Sequence, residues 1–148
     1  MKFSYSILLL PIFLFSQALA QNPGAPMLVD QFKKDLLTLV SEKTPQSSSD
    51  QRNTFADAAF AEVNREFPAT TSATPSQLET LRSGQCPFTD DQNRQAYADL
   101  KTAASGKPMP DIVEFYKQKF DAGQLNAAQK TIFRNLSLAI RDRIRSNH

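Results

Sequence analysis

The chain has 148 residues, and its 17 Lys and Arg side chains against 15 Asp and Glu give a formal net charge of only +2. This balance gives no electrostatic reason to propose a nucleic-acid partner. With one cysteine, one histidine at the terminal position His148 and none of the HExxH, CxxC, P-loop or glycine-rich dinucleotide patterns, we expect no catalytic residue, metal site, cofactor or enzyme activity.

Residues 1–20 have the pattern of a secretory signal peptide. Lys2 gives a positive start, residues 7–15 are apolar, and Ala18-Leu19-Ala20 has the small-x-small pattern of a cleavage site. The apolar run is shorter than the roughly twenty residues that span a bilayer. We therefore expect a secreted, extracellular protein that starts at Gln21 and has no stable membrane insertion; a retained anchor is the alternative.

Residues 21–26 include Pro23, Gly24 and Pro26, which disfavour regular structure, so we expect a disordered arm. Residues 27–148 fall within the usual size of one domain and predict a single helical domain. Because Cys86 is the only cysteine, an intramolecular disulfide is impossible and helix packing must supply the stability. Cys86 is either a free thiol or the link in a dimer.

Apolar residues recur at helical spacing at the start of this domain. They predict a first helix over residues 27–43 and a second that is capped by Ser49 or Asp50 and ended by Pro68. The apolar positions are Val29, Phe32, Leu36 and Val40 in the first helix, and Phe55, Ala59, Phe60, Val63 and Phe67 in the second. A loop is expected over residues 69–73.

Capping signals mark the later helices. Thr74, Thr89 and Asn126 are each followed three residues later by glutamine, as in a capping box, and Pro110 is placed to start a further helix. Short connections between these segments favour neighbours that pack roughly antiparallel. The sequence therefore predicts an all-α fold, a compact bundle or irregular globule of five to six amphipathic helices.

Motifs within residues 88–140, among them Phe88-Thr89-Asp90-Asp91-Gln92 and Ser105-Gly106-Lys107-Pro108, resemble motifs in the later part of the nematode fatty-acid and retinol-binding proteins. The first is similar to that family's Leu-Thr/Asn-x-Glu-x-Lys element, and the second resembles its Gly-x-Lys-Pro-like connector. Leu125-Asn126-Ala127-Ala128-Gln129-Lys130, followed by Phe133, is similar to its Leu-Ser-x-x-x-Lys opening. The resemblance implies a secreted helical protein with a flexible internal apolar cavity and no catalytic residues. Cys86 and the serine-rich loop before the second helix depart from the family pattern.

Amphipathic helices with wide apolar faces can meet around an acyl chain, whose transfer from water is favourable by roughly 0.8 kcal/mol per buried methylene. We therefore predict a carrier of fatty acids, retinoids or similar small lipids. The predicted cavity wall is formed by Phe60, Val63, Leu100, Ile112, Phe115, Phe120, Phe133, Leu136 and Ile140, with the hydroxyl of Tyr97 or Tyr116 facing the ligand head group. The alternative is a secreted, non-enzymatic interaction protein, an effector or immune modulator, in which these side chains fill a solid core.

One modification motif overlaps the last predicted helix. Asn135-Leu136-Ser137 is a glycosylation sequon, but it lies between residues of the apolar face. The sequence leaves its occupancy open.

Overall fold

The computed structural model describes residues 27–147, so the predicted signal peptide, the predicted arm at 21–26 and His148 lie outside the described residues. Within that range the chain forms six α-helices and no strand, which confirms the predicted all-α class. The helices are α1 (Met27–Lys43), α2 (Ser49–Glu66), α3 (Pro75–Arg82), α4 (Asp90–Ala103), α5 (Asp111–Asp121) and α6 (Ala127–Ser146).

Four of these helices begin with a reciprocal cap. The side chain of the capping residue accepts a hydrogen bond from the backbone N–H of the glutamine three residues later, and that glutamine's side chain accepts one from the backbone N–H of the capping residue. The capping residues are Ser48, Thr74, Thr89 and Asn126. The last three confirm the sequence-based predictions.

Three local predictions are corrected by the structure. Ser48, rather than Ser49 or Asp50, caps α2, because only Ser48 has a glutamine three residues later. The expected loop contains a short 3-10 helix, Pro68–Thr71, directly after α2. Pro110 takes the capping position, so α5 begins one residue later at Asp111.

Helix α6 lies at the centre of the fold. It contacts α1, α4, α5 and the 3-10 helix, while α2 packs mainly along α1. Its buried residues lie on more than one face and include Ile132, Phe133, Leu136 and Ile140. Because α6 is covered on several sides, the main core lies around it, and the α1–α2 pair forms one flank of the molecule.

A buried carboxylate connects three of the helices. Asp35 on α1 is only 4% exposed. It accepts hydrogen bonds from the hydroxyl of Tyr116 on α5 at 2.7 Å, from the amide of Gln129 on α6 at 2.9 Å and from the amide of Gln31 on α1 at 3.0 Å. Because a buried charge is tolerated only when its oxygens are well bonded, these donors fix the positions of the three helices relative to one another.

Candidate ligand groove

An apolar groove with a volume of about 490 Å³ lies between α1, α2 and the start of α5. Its floor consists of buried side chains, Leu36, Phe67 and Ile112. Its walls consist of partly exposed residues, Leu39 and Val40 from α1 and Ala59 and Val63 from α2. We call this feature the α1–α2 groove.

The groove follows from the helical spacing of the two sequences. On α1, Leu36, Leu39 and Val40 fall three and four residues apart and therefore share a face. On α2, Ala59 and Val63 repeat the same spacing. Both faces line the groove.

Phe55 stands in the wall of the α1–α2 groove and is 46% exposed. No other large apolar side chain within residues 27–147 reaches the exposed class. A large aromatic ring that remains in contact with water beside an apolar groove is typical of a binding surface.

Four charged residues also line the groove. The ammonium of Lys43 forms an ion pair with Asp111 at 2.5 Å, which joins the end of α1 to the start of α5. Glu66 pairs with Arg143 of α6 at 3.4 Å. The side chain of Glu62 has neither an ion pair nor a hydrogen bond with any other described residue. The rim thus carries one uncompensated carboxylate.

Only two of the residues predicted to form the cavity wall line this groove. Val63 forms part of its side and Ile112 part of its floor. Phe60 lies at the interface of α1 and α2, with its ring centroid 5.9 Å from that of Phe32 and 4.8 Å from the ammonium of Lys33.

The other predicted aromatic residues pack against one another. Tyr97 stacks on Phe120 with ring centroids 5.1 Å apart, and Phe120 lies 5.6 Å from Phe133. Phe133 lies 6.4 Å from Tyr116, which contacts Phe115 edge-on at 5.6 Å. These side chains form one continuous aromatic cluster around α5 and α6, as in an ordinary packed core.

The predicted aliphatic residues also lie in the core. Leu100, Leu136 and Ile140 are buried, at the region where α4 packs along α6. Phe120 lines a second, smaller pocket of about 280 Å³ that also includes charged side chains, and Phe115 lines a third of about 150 Å³. The structure therefore divides the predicted wall between the groove, the core and two minor pockets.

The two tyrosine hydroxyls considered for a ligand head group have protein partners. Tyr116 donates to the buried Asp35, and Tyr97 donates to Asp121 at 3.3 Å. Burial, followed by the nearby Asp35 charge and its hydrogen bond, raises the pKa of Tyr116 well above its usual value. Burial and then Asp121 raise the pKa of Tyr97. Both hydroxyls are protonated donors at neutral pH.

Several groove residues were absent from the predicted wall. Leu36 and Val40 were assigned to the apolar face of the first helix, and Phe55, Ala59 and Phe67 to that of the second, but none was assigned to a ligand site. The available signal was the breadth of these two faces, which carry more apolar residues than one helix contact covers.

Two kinds of functional feature are absent from the described part of the chain. No group of three or more histidine, cysteine or carboxylate side chains is arranged to hold a metal ion. No helix between Met27 and Asn147 combines the length and apolarity needed to cross a membrane.

Comparison with models of known protein families, with curated proteins and with solved structures gives no match. The resemblance to the nematode fatty-acid and retinol-binding proteins stays a prediction, as does the Cys86-linked dimer. Cys86 itself is half-buried, and its sulfur lies 3.7 Å from the side-chain amide nitrogen of Asn93.

Proposed function

We propose that this chain is a secreted carrier that holds one small amphiphilic lipid in the α1–α2 groove. The observation that carries the proposal is the groove itself, an apolar trough of about 490 Å³ with a buried floor and an exposed aromatic side chain in its wall. Small-molecule sites usually have volumes of about 300–1,000 Å³. The proposal involves no catalytic group.

The driving force is the removal of an alkyl chain from water. Each methylene that leaves water contributes roughly 0.8 kcal/mol, so a chain that buries five methylenes gains about 4 kcal/mol before entropic costs. The polar end of the ligand would remain at the rim, near Lys43, Glu62 and Asp111. A ligand bound in this way would lie beside the main core, so the hydrogen bonds of Tyr97 and Tyr116 to their carboxylate partners could stay intact.

The test is to fill the groove by a single substitution. Ala59 lies in the groove wall, whereas Ala61 is exposed on the same helix and does not line the groove. Ala59→Phe should occupy the space that the alkyl chain needs, and Ala61→Phe serves as the matched control. Because losing contact with two methylenes already costs about 1.6 kcal/mol, we expect Ala59→Phe to weaken binding about tenfold or more.

Binding would be measured by displacement of a fluorescent alkyl probe from the mature protein, with circular dichroism to show that both variants are folded. Saturable binding that Ala59→Phe weakens and Ala61→Phe preserves supports the proposal. Absence of saturable binding by the wild-type protein contradicts it. Equal binding by the wild type and both variants would place the ligand somewhere other than this groove.

The exposed ring of Phe55 favours one second candidate, a secreted interaction protein that uses the same flank to contact another protein. Native mass spectrometry of protein collected from culture medium separates the two candidates. A co-purified lipid mass that disappears in Ala59→Phe favours the carrier. A ligand-free mass together with no probe binding favours the interaction protein. The same spectrum reports whether the mature chain starts at Gln21.

A further inference from the structure

We propose that the α1–α2 groove prefers an amphiphile with a protonated amine head group over a fatty acid with the same alkyl chain. This inference rests on the proposed lipid-binding function and specifies the chemistry of its ligand.

Carboxylates outnumber cations in the groove lining. The charged lining residues are Lys43, Glu62, Glu66 and Asp111. The ammonium of Lys43 is held by Asp111 at 2.5 Å. The carboxylate of Glu66 is held by Arg143 at 3.4 Å and by Arg65 at 3.9 Å. Of the four charged residues that line the groove, Glu62 is thus the one whose side chain has no ion-pair partner among the described residues.

The position of Glu62 suits a head-group contact. Residues 55, 59, 62 and 66 are separated by four, three and four positions, so they share the face of α2 that lines the groove. Glu62 lies seven residues from Phe55, a distance of about 10 Å along the helix axis. A head group at Glu62 would therefore allow the alkyl chain to run along Ala59 towards the exposed phenyl ring.

The two head groups differ in what they require of the rim. A carboxylate would have to share the ammonium of Lys43 with Asp111, and it would then lie near the other lining carboxylates, Glu62 and Glu66. An ammonium can pair with Glu62 while every existing ion pair remains intact. Like charges in contact are unfavourable and opposite charges favourable, so both effects act in the same direction.

The expected preference is moderate because the rim is exposed to water. Exposed ion pairs correspond to an affinity change of up to about fivefold, so we expect an amine to bind up to about fivefold more tightly than the matching acid. An alcohol of equal chain length should fall between the two. Raising the salt concentration should narrow the difference, since exposed charges are screened within about 10 Å at 0.1 M salt.

The experiment compares dodecylamine, dodecanol and dodecanoate as competitors against an uncharged fluorescent alkyl probe, at pH 7, at low salt and below micelle-forming concentrations. The proteins are the wild type, Glu62→Gln and the control Asp57→Asn. Asp57 is an exposed carboxylate on the same helix that does not line the groove. Both variants therefore remove one negative charge from α2, but only Glu62→Gln removes it from the rim.

We expect the amine to outcompete the acid in the wild type and in Asp57→Asn, and the ratio to fall towards one in Glu62→Gln. A wild-type protein that binds the acid as tightly as the amine overturns the inference while the carrier function stands. An amine preference that Glu62→Gln leaves unchanged also overturns it. If no competitor displaces the probe, or if the probe does not saturate, the carrier proposal fails and this inference fails with it.

Discussion

Replacing Tyr116 by phenylalanine removes one hydroxyl from the core and leaves the ring in place. The ring contacts of Tyr116 with Phe32 at 6.5 Å, Phe115 at 5.6 Å and Phe133 at 6.4 Å do not depend on the hydroxyl. The hydroxyl makes one bond, to the carboxylate of Asp35 at 2.7 Å. The substitution therefore isolates the contribution of that bond.

The expected loss of stability follows from the burial of the acceptor. Asp35 is 4% exposed, so water cannot replace the missing donor, although Gln31 and Gln129 still donate to the carboxylate. Hydrogen bonds to charged groups contribute about 1.5–3 kcal/mol, and we expect Tyr116→Phe to lower the free energy of unfolding by that amount at pH 7.

The loss should become smaller in alkali. Burial, followed by the charge of Asp35, raises the pKa of Tyr116 well above its usual value, whereas the pKa of a tyrosine in the unfolded chain is about 10. The contribution of the protonated Tyr116 hydroxyl to the free energy of unfolding is thus complete below about pH 10 and declines as the pH rises above it. Because the phenylalanine of the variant has no proton to lose, the stability difference between wild type and Tyr116→Phe narrows above about pH 10.

Urea unfolding monitored by circular dichroism measures the free energy of unfolding of the wild type and of Tyr116→Phe. An equal dependence of this free energy on urea concentration shows that both proteins expose the same surface on unfolding. Tyr97→Phe is the matched control because the Tyr97 hydroxyl donates to Asp121 at the protein surface, and its effect should stay within about 0.5 kcal/mol. Equal effects of the two substitutions, or a Tyr116→Phe change below about 0.5 kcal/mol, would refute the argument that the Asp35 cluster fixes the three helices.

Two further predictions concern the helix ends and the sequon. The side-chain nitrogen of Asn135, the atom that would carry a glycan, donates to the carbonyl oxygen of Ser72 at 2.9 Å. We therefore expect folded protein secreted from a glycosylating cell to lack a glycan at Asn135; a glycosidase-sensitive mass shift on folded protein would contradict this. Thr89→Ala removes the side-chain cap that Gln92 N–H uses at the start of α4, and it should cost about 1 kcal/mol in urea unfolding. Thr89→Ser keeps the cap oxygen and should remain close to the wild type, whereas an equal loss in both variants would show that the cap bond is not the cause.

The helices could be predicted because their signals are local. Thr74, Thr89 and Asn126 each have a glutamine three residues later, and each of these pairs forms the expected reciprocal cap. The predicted cap of α2 was wrong by one or two residues because three consecutive serines and an aspartate all have side chains that can cap a helix. The Ser48–Gln51 spacing decides among them. Such local competition shifts a helix boundary by one or two residues without changing the fold.

The groove could not be located from local sequence signals, because it depends on the position of α1 relative to α2. The spacing of Leu36 and Val40 shows that they share an apolar face of α1, but not which part of that face α2 covers. Conversely, Phe133 and Leu136 are apolar residues that would suit a ligand wall, but both are fully buried in the core. An apolar side chain has the same sequence signature whether it faces another helix or a ligand.

The helices that supply most of the buried core differ from the helix that forms one side of the proposed binding groove. Helix α6 has seven buried residues, whereas the eighteen residues of α2 include only one, Ala56. A helix with few buried contacts opens at lower free energy than the core, so α2 is the long helix best placed to move when a ligand enters. The Asp35 cluster involves α1, α5 and α6 and does not include α2. A lipid that binds only the folded protein stabilises it by mass action. Because such a ligand would contact α2 directly, it should reduce the local opening of α2 more than that of the other long helices.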